Sequence, residues 1–289
     1  MDFRYNLTNK NKIDCPSCGA KKRFCRYYDN KERTYAPTEY GRCDREISCG
    51  YHNVPKNEVI VEDVVKEKQK PKPHNIIPYK YYTLSFKRRY QDSFSLFMLK
   101  SFGEKSRDSL YKYNVGCSFK FRGNSTVFWQ IATDGIRSGK IMQYTLKGKR
   151  SKNMNTWVHA EMYDDYELKQ VFFGNHLEHK NKKIVIVESE KTAIICDVFF
   201  DNDSYVFMSS GMLQGLQKYK FDELKDYKEI ICIPDYGKAY DIWCDKIKKL
   251  GLPNVRVTKA LQKLDLSEGD DIADIILEKK LEKVWISQI

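Results

Sequence analysis

Apolar and polar positions change their rule along this chain. From residue 181 onward, short apolar runs with no polar alternation are separated by stretches of helical spacing. "KKIVIV" reads as a strand and "EKTAIICDVFF" as a helix directly behind it. "SYVFMSS" is a strand, "GMLQGLQKY" a turn and helix, and "EIICIP" a strand. "KAYDIWCDKIKKL" is a helix stopped by Gly251, "NVRVTKA" a strand, and "DDIADIILEKKLEKV" a helix. Apolar strands alternating with helices predict an α/β region whose mainly parallel sheet is covered on both faces. Between residues 76 and 180 the pattern is mixed, α+β in character. "DSFSLFMLKSFG" predicts a helix closed by Gly103, and "STVFWQIATDGIRSGKIMQYTL" predicts two strands around an Asp-Gly turn. Up to about Pro55 apolar runs are short, while Cys, Gly and aromatic residues are frequent. "VEDVVKEKQKPKPHN" is charged and ends in alternating Lys and Pro, which predicts a linker. The predicted organisation is therefore multidomain: a small β domain at 1–60, a linker at 61–75, a basic domain at 76–180 and an α/β domain at 181–289.

Charge sharpens this division. The formal net charge is +12, made of +4 over residues 1–60, +10 over 61–180 and −2 over 181–289. A basic body fits a polyanion partner, most simply nucleic acid, or else a merely soluble basic surface. Tyrosines interleave with cations in "PYKYYTLSFKRRY", where they either stack bases or fill half-buried positions. No run of about 18 apolar residues suggests a membrane span. The first residues lack the apolar core of a signal peptide, so a cytoplasmic location and no membrane partner are expected.

The nine cysteines crowd towards the start. "CPSCG" pairs Cys15 with Cys18, and "GRCDREISCGYH" pairs Cys43 with Cys49. A C-x-x-C pair followed by Gly makes a tight turn that points two thiolates at one metal. The expected structure is a zinc ribbon with these four ligands. His52 is an alternative to Cys49, and Cys25 a weaker one. Glu188 and Asp235 are each the first ionisable residue after an apolar strand. In an open parallel sheet such residues share the edge where ligands gather. "SEGDDIADIIL" adds Asp270, Asp271 and Asp274 near a helix start. Each alone reads as a cap or solvated loop, whereas several converging carboxylates are how Mg2+ or Mn2+ is held.

The succession "IVIVESEKTA", "MSSGMLQGL", "CIPDYGKAYDIW" and "EGDDIADIIL" resembles the TOPRIM domain shared by topoisomerases and bacterial primases. With the cysteine pairs in front, and with "VFWQI", "GKIMQY", "WVHAEM" and "FFGNHL" between, the chain is similar to primase-like proteins of bacterial mobile elements, especially of Bacteroides-type bacteria. The resemblance implies a metal-dependent nucleotidyltransferase that makes primers on single-stranded DNA from nucleoside triphosphates, with a helicase as a further partner. It implies catalytic roles for Glu188, Asp235 and Asp271, with Asp270 among the magnesium ligands. It implies nucleic-acid contacts at Arg137 and Lys140 in the middle domain, at Lys191 one turn after Glu188, and at Arg42 and Arg45 on the metal knuckle. One departure stands out. Where the family has Asp-x-Asp, this chain has Asp235-Tyr236-Gly237, and Gly237 offers no side-chain ligand. Two other readings follow: a non-catalytic DNA-binding protein of a mobile element, and a TOPRIM nuclease. Other chemistries find no motif. "GIRSGK" is not a Walker loop, and G-x-S-x-G and H-E-x-x-H are absent.

Overall fold

The computed structural model describes residues 4–45, 47–55, 74–121, 124–224, 227–278, 281–282 and 285–286. The chain forms two compact units, Met1–Lys70 and Pro71–Ile289. Most of the expected linker, 61–73, lies outside the described residues.

The first unit is built from β1 (Tyr5–Leu7), β2 (Phe24–Asp29), β3 (Thr34–Tyr35), β4 (Gly41–Cys43) and β5 (His52–Asn53), all paired antiparallel in the order β1-β2-β4-β5, with β3 also on β2. Its apolar interior is small: Phe24, Cys15 and Cys43, with Ile13, Cys49 and Tyr51 packed around them. At Gly41 a Cβ would stand 2.3 Å from the Cys25 carbonyl and 2.6 Å from the Phe24 ring, so only glycine lets β2 and β4 close.

The second unit begins with α1 (Tyr79–Leu84), α2 (Ser93–Phe102) and α3 (Ser106–Lys112). An antiparallel sheet follows: β6 (Gly116–Ser118), β7 (Ser125–Ala132), β8 (Gly135–Tyr144) and β9 (Arg150–Trp157), then the short α4 (Val158–Met162). β7 and β8 are joined where the Asp-Gly turn is expected, with Thr133 and Asp134 in the turn and Gly135 as the first residue of β8. Next come β10 (Lys183–Val187), α5 (Glu190–Phe200), β11 (Tyr205–Ser209), α6 (Lys218–Phe221), β12 (Glu229–Cys232), α7 (Lys238–Leu250), β13 (Val255–Val257) and α8 (Ile272–Leu277). The last four strands pair in parallel in the order β11-β10-β12-β13, as the apolar runs predict. The chain turns one way after β10 and the other way after β12, so the strand order reverses between these two neighbours. In such sheets a crevice opens there, beyond the strand carboxyl ends.

Local signals fix the helices. Asp92 caps α2 by accepting the Ser95 N–H, and Gly103 ends it at φ +68°. Ser189 caps α5, and Gly251 closes α7 at φ +63°. The two sheets share one apolar core, in which Phe94, Phe128, Met142 and Tyr144 join Ile184, Val185, Phe207 and Ile231. Tyr113 locks them further. It is fully buried, stacks on Phe173, and donates its hydroxyl to the Phe207 carbonyl at 2.7 Å. Tyr113→Phe is expected to cost about 1 kcal/mol, the net worth of one buried hydrogen bond, read as a lower urea midpoint at unchanged slope.

Candidate active site

In the first unit the metal ligands come from two turns. Cys15 accepts the Gly19 N–H at 2.9 Å on its carbonyl, and Gly19 takes φ +67°. The second turn repeats this: the Arg45 carbonyl accepts from Cys49 at 2.8 Å, and Gly50 takes φ +65°. The four sulfurs of Cys15, Cys18, Cys43 and Cys49 lie within 4.8 Å of one another. Cys15 and Cys49 stand 3.8 Å apart, and Cys18 and Cys43 4.0 Å. A tetrahedral zinc with Zn–S near 2.3 Å has sulfur–sulfur edges of about 3.8 Å, so this donor set fits zinc. Neither alternative ligand belongs to it. Cys25 donates to Asn9 and Asp44, and His52 is bonded to and stacked on Tyr27. Arg42 and Arg45 are exposed near this cluster, and Arg45 donates to Ser48.

In the second unit Glu188 leaves β10 and Asp235 follows β12 at the point where strand order reverses. They share one rim: Glu188 Oε1 accepts the Asp235 backbone N–H at 3.3 Å. Burial raises the Glu188 pKa to about 7, with the Asp271 charge adding and the Asp235 N–H opposing. Burial raises Asp235 to about 9, reinforced by the charges of Glu188, Asp271 and Asp274. A divalent cation reverses both effects, and Mg2+ needs only one or two carboxylates because it keeps its waters. The pair therefore fits such a cation. Among the described residues, the four cysteines are the one group of three or more His, Cys, Asp or Glu side chains gathered closely enough to hold an ion.

The rim opens on a cavity of about 780 Å³ with an acidic bank and a basic one. Asp270 and Asp274 complete the acidic side. Asp271 sits behind it, buried. One of its oxygens accepts the Thr192 hydroxyl at 2.6 Å, and the other caps α8 in a reciprocal box with Asp274. Asp271 thus holds α8 against α5, and Asp274 is the residue that reaches the cavity. Lys191 lines the cavity at 3.6 Å from Asp274. The basic bank is the β8–β9 hairpin, which presents exposed Lys147, Lys149 and Arg150. Gly148 in this turn takes φ +72° with no room for a side chain, since its Cβ would meet the Phe97 ring at 2.5 Å. The "KGKR" run is the signal that sequence reading passes over.

Two cations expected to meet phosphate have other partners. Arg137 is 2% exposed and donates to Asp134, Glu223 and the Lys169 carbonyl. Lys140 is buried and bonded to both Glu190 oxygens and, at 2.7 Å, to the Gly211 carbonyl. Residues 135–144 form a strand, with a register shift that leaves Arg137 unpaired between Ile136 and Ser138, and each side chain is met by a carboxylate from elsewhere in the fold, Glu223 for Arg137 and Glu190 for Lys140. Lys140 serves the site indirectly by holding the Ser209-Ser210-Gly211 turn. In that turn Ser209 Oγ donates to the Glu188 carbonyl at 3.1 Å, and the Ser210 N–H donates to Val187. At Gly237, φ is +93°, and a Cβ would lie 2.0 Å from Glu268 Oε2. The space a side chain at 237 would take is filled by the Glu268 carboxylate, which accepts the Lys238 N–H at 3.2 Å.

No curated protein matches the chain. Among solved structures it is similar to the primase fragment of the bacteriophage T7 primase-helicase protein, with TM-score 0.49, 16% identity, and 99% of this chain and 100% of that chain covered. It is also similar to a chain from a complex of bacteriophage T7 lagging-strand DNA polymerase with primase domains of two gp4 subunits bound to an RNA/DNA hybrid and dTTP. That match has TM-score 0.44, 18% identity, and 63% and 84% covered. Residues 3–63 match a zinc beta-ribbon finger, in agreement with the four-cysteine cluster. Residues 92–236, from the cap of α2 to just past Asp235, match half of the chain to one family, and the chain belongs to it: Domain of unknown function (DUF6371).

Proposed function

We propose that this chain is a primase-like, metal-dependent nucleotidyltransferase that joins nucleotides on single-stranded DNA, with its 181–289 region a TOPRIM domain serving a mobile element or phage. The observation that carries this reading is the cavity itself: Glu188 and Asp235 share the rim at the strand reversal, and Lys147, Lys149 and Arg150 face them. An acidic rim that fits a cation, opposed by free cations across one cavity, suits a triphosphate and a nucleic-acid backbone together. Glu188 and Asp235 would hold Mg2+ or Mn2+, which would supply charge neutralisation at the phosphates. The hairpin cations hold the outer phosphates, and Lys191 balances the acidic rim. Glu188, at the end of β10 beside Asp235, is the residue assigned to take the proton of an attacking 3′-hydroxyl. The hydroxyl oxygen bonds to the α-phosphorus as the bond to pyrophosphate breaks. A helicase partner and template reading at Arg42 and Arg45 belong to the same proposal.

One observation favours a second reading, DNA binding without chemistry: Gly237 contributes no carboxylate beside Asp235. Incubating the full chain with single-stranded DNA, labelled nucleotides and Mg2+ or Mn2+, then sizing the products, separates them. Extended labelled oligomers support the transferase. Shortened DNA points to a nuclease, and binding with neither product leaves the binding module.

Replacing Lys147, Lys149 and Arg150 together with alanine is expected to weaken single-stranded DNA binding. The slope of log affinity against log salt should fall by about 2, at roughly 0.7 for each phosphate no longer neutralised. Fluorescence anisotropy from roughly 50 to 300 mM NaCl reads both. An unchanged slope would remove the hairpin from the interface.

A further inference from the structure

The antiparallel sheet carries a second hollow on its other face. Side chains alternate along β8, so Lys140, Met142 and Tyr144 face the acidic cavity while Ile141 faces away. Behind the sheet, α1 and α4 leave a cavity of about 570 Å³ floored by Val127, Trp129, Ile141 and Val158. Its mouth is cationic, with Lys87, Arg88 and Lys120; Lys120 is tied to Glu161. Lys87 and Arg88 belong to the aromatic and basic run at 79–90, which contains four Lys or Arg and no acidic residue.

Two exposed aromatic rings are paired with guanidinium groups of the 79–90 run, Phe119 in the lining of the hollow and Tyr111 outside it. Phe119 is 62% exposed, with the Arg88 guanidinium 4.7 Å above its centroid. Tyr111 is 64% exposed, and Arg89 lies between its ring at 4.6 Å and that of Phe86 at 4.1 Å. An exposed ring paired with a guanidinium is a platform that any base can extend, and the neighbouring charge holds the backbone. An acidic peptide would satisfy the charge but would leave the open ring faces unused.

We propose that this back face is a second binding site for single-stranded nucleic acid, with bases stacked on Phe119 and Tyr111 and phosphates on Lys87 and Arg88. The site is separated by the sheet from the acidic cavity and does not depend on chemistry there.

The test uses the full chain and a 5-bromouracil-substituted single-stranded oligonucleotide. Ultraviolet cross-links are expected within residues 79–121. Phe119→Ala and Arg88→Ala are expected to weaken binding about tenfold each by anisotropy, while Phe119→Trp keeps wild-type affinity. Phe119 is largely exposed, so its removal leaves the core intact. Wild-type binding by both alanine variants, or cross-links only outside 79–121, overturns the site. A chain that binds no oligonucleotide overturns it together with the transferase. Absence of nucleotide joining, with the cross-links and variant effects as expected, strikes the transferase alone.

Discussion

Glu188→Gln is expected to lower metal-dependent nucleotide joining about a thousandfold, within the range for removing a positioned acid–base group, while affinity for single-stranded DNA stays within about twofold of wild type. Gel analysis of labelled products and anisotropy on the same preparation check the two halves. The contrast follows from geometry. Glu188 is on the acidic rim beside Asp235, whereas Lys147, Lys149 and Arg150, the cations proposed to hold a backbone, line the same cavity from the β8–β9 hairpin. Loss of DNA binding along with activity would instead mean that Glu188 supports the fold of the cavity.

The same pair sets a pH dependence. In the folded, metal-free protein Glu188 titrates at about 7 and Asp235 at about 9, against ordinary values of 4.5 and 3.8. The folded state therefore holds these protons to higher pH than the unfolded chain does. Their contribution to stability is fully present below the ordinary values and is lost as pH rises through 7 and towards 9. Mg2+ must displace the protons to bind, so its stabilising effect grows over the same window. Thermal unfolding with and without Mg2+ should show the metal-free midpoint falling with pH and the Mg2+ shift widening. Asp235→Asn should flatten both trends. An Mg2+ shift of equal size at pH 5.5 and 8.5 would exclude a cation at this rim.

Some of this site was legible in the sequence because single-residue rules apply. A carboxylate directly after an apolar strand has one place to go, and Glu188 and Asp235 went there. Gly103 and Gly251 marked helix ends because a positive φ favours glycine: Gly251 is αL, and Gly103 takes φ +68° with an extended ψ. Other choices depended on three dimensions. Whether Asp271 or Asp274 faces the cavity is decided by a capping box and by Thr192 from another helix, neither visible in "GDDIADII". Arg137 and Lys140 read as phosphate contacts because Glu223 and Glu190, which pair with them, lie far along the chain; only Asp134, beside Arg137, is a local partner. The helix expected in "GMLQGLQKY" begins only at Lys218 and runs to Phe221. Before it the path is irregular: Trp243 donates to the Leu213 carbonyl, and at Gly215 a Cβ would stand 2.1 Å from the Ser210 carbonyl. Tertiary contacts there override the local pattern.

The largest stability effect is expected in the first unit. Its interior holds one fully buried aromatic, Phe24, among cysteines, too little apolar surface to offset the ordering of such a segment. The two turns carrying Cys15, Cys18, Cys43 and Cys49 gain their main stabilisation from shared zinc, for which apparent binding free energies in small zinc domains run to about 10–16 kcal/mol. Purified protein should hold one zinc per chain, released to a chromogenic chelator when the thiolates are blocked with a mercurial. Cys43→Ser should lose the zinc and with it the slow amide exchange of β2 and β4. The parallel sheet of the second unit, with its own apolar core, should keep its protection. Cys25→Ser serves as the control, because Cys25 is bonded to Asn9 and Asp44 outside the cluster and should leave zinc content unchanged. Full protection of β2 and β4 in zinc-free protein would mean that the antiparallel pairing and Phe24 suffice without metal.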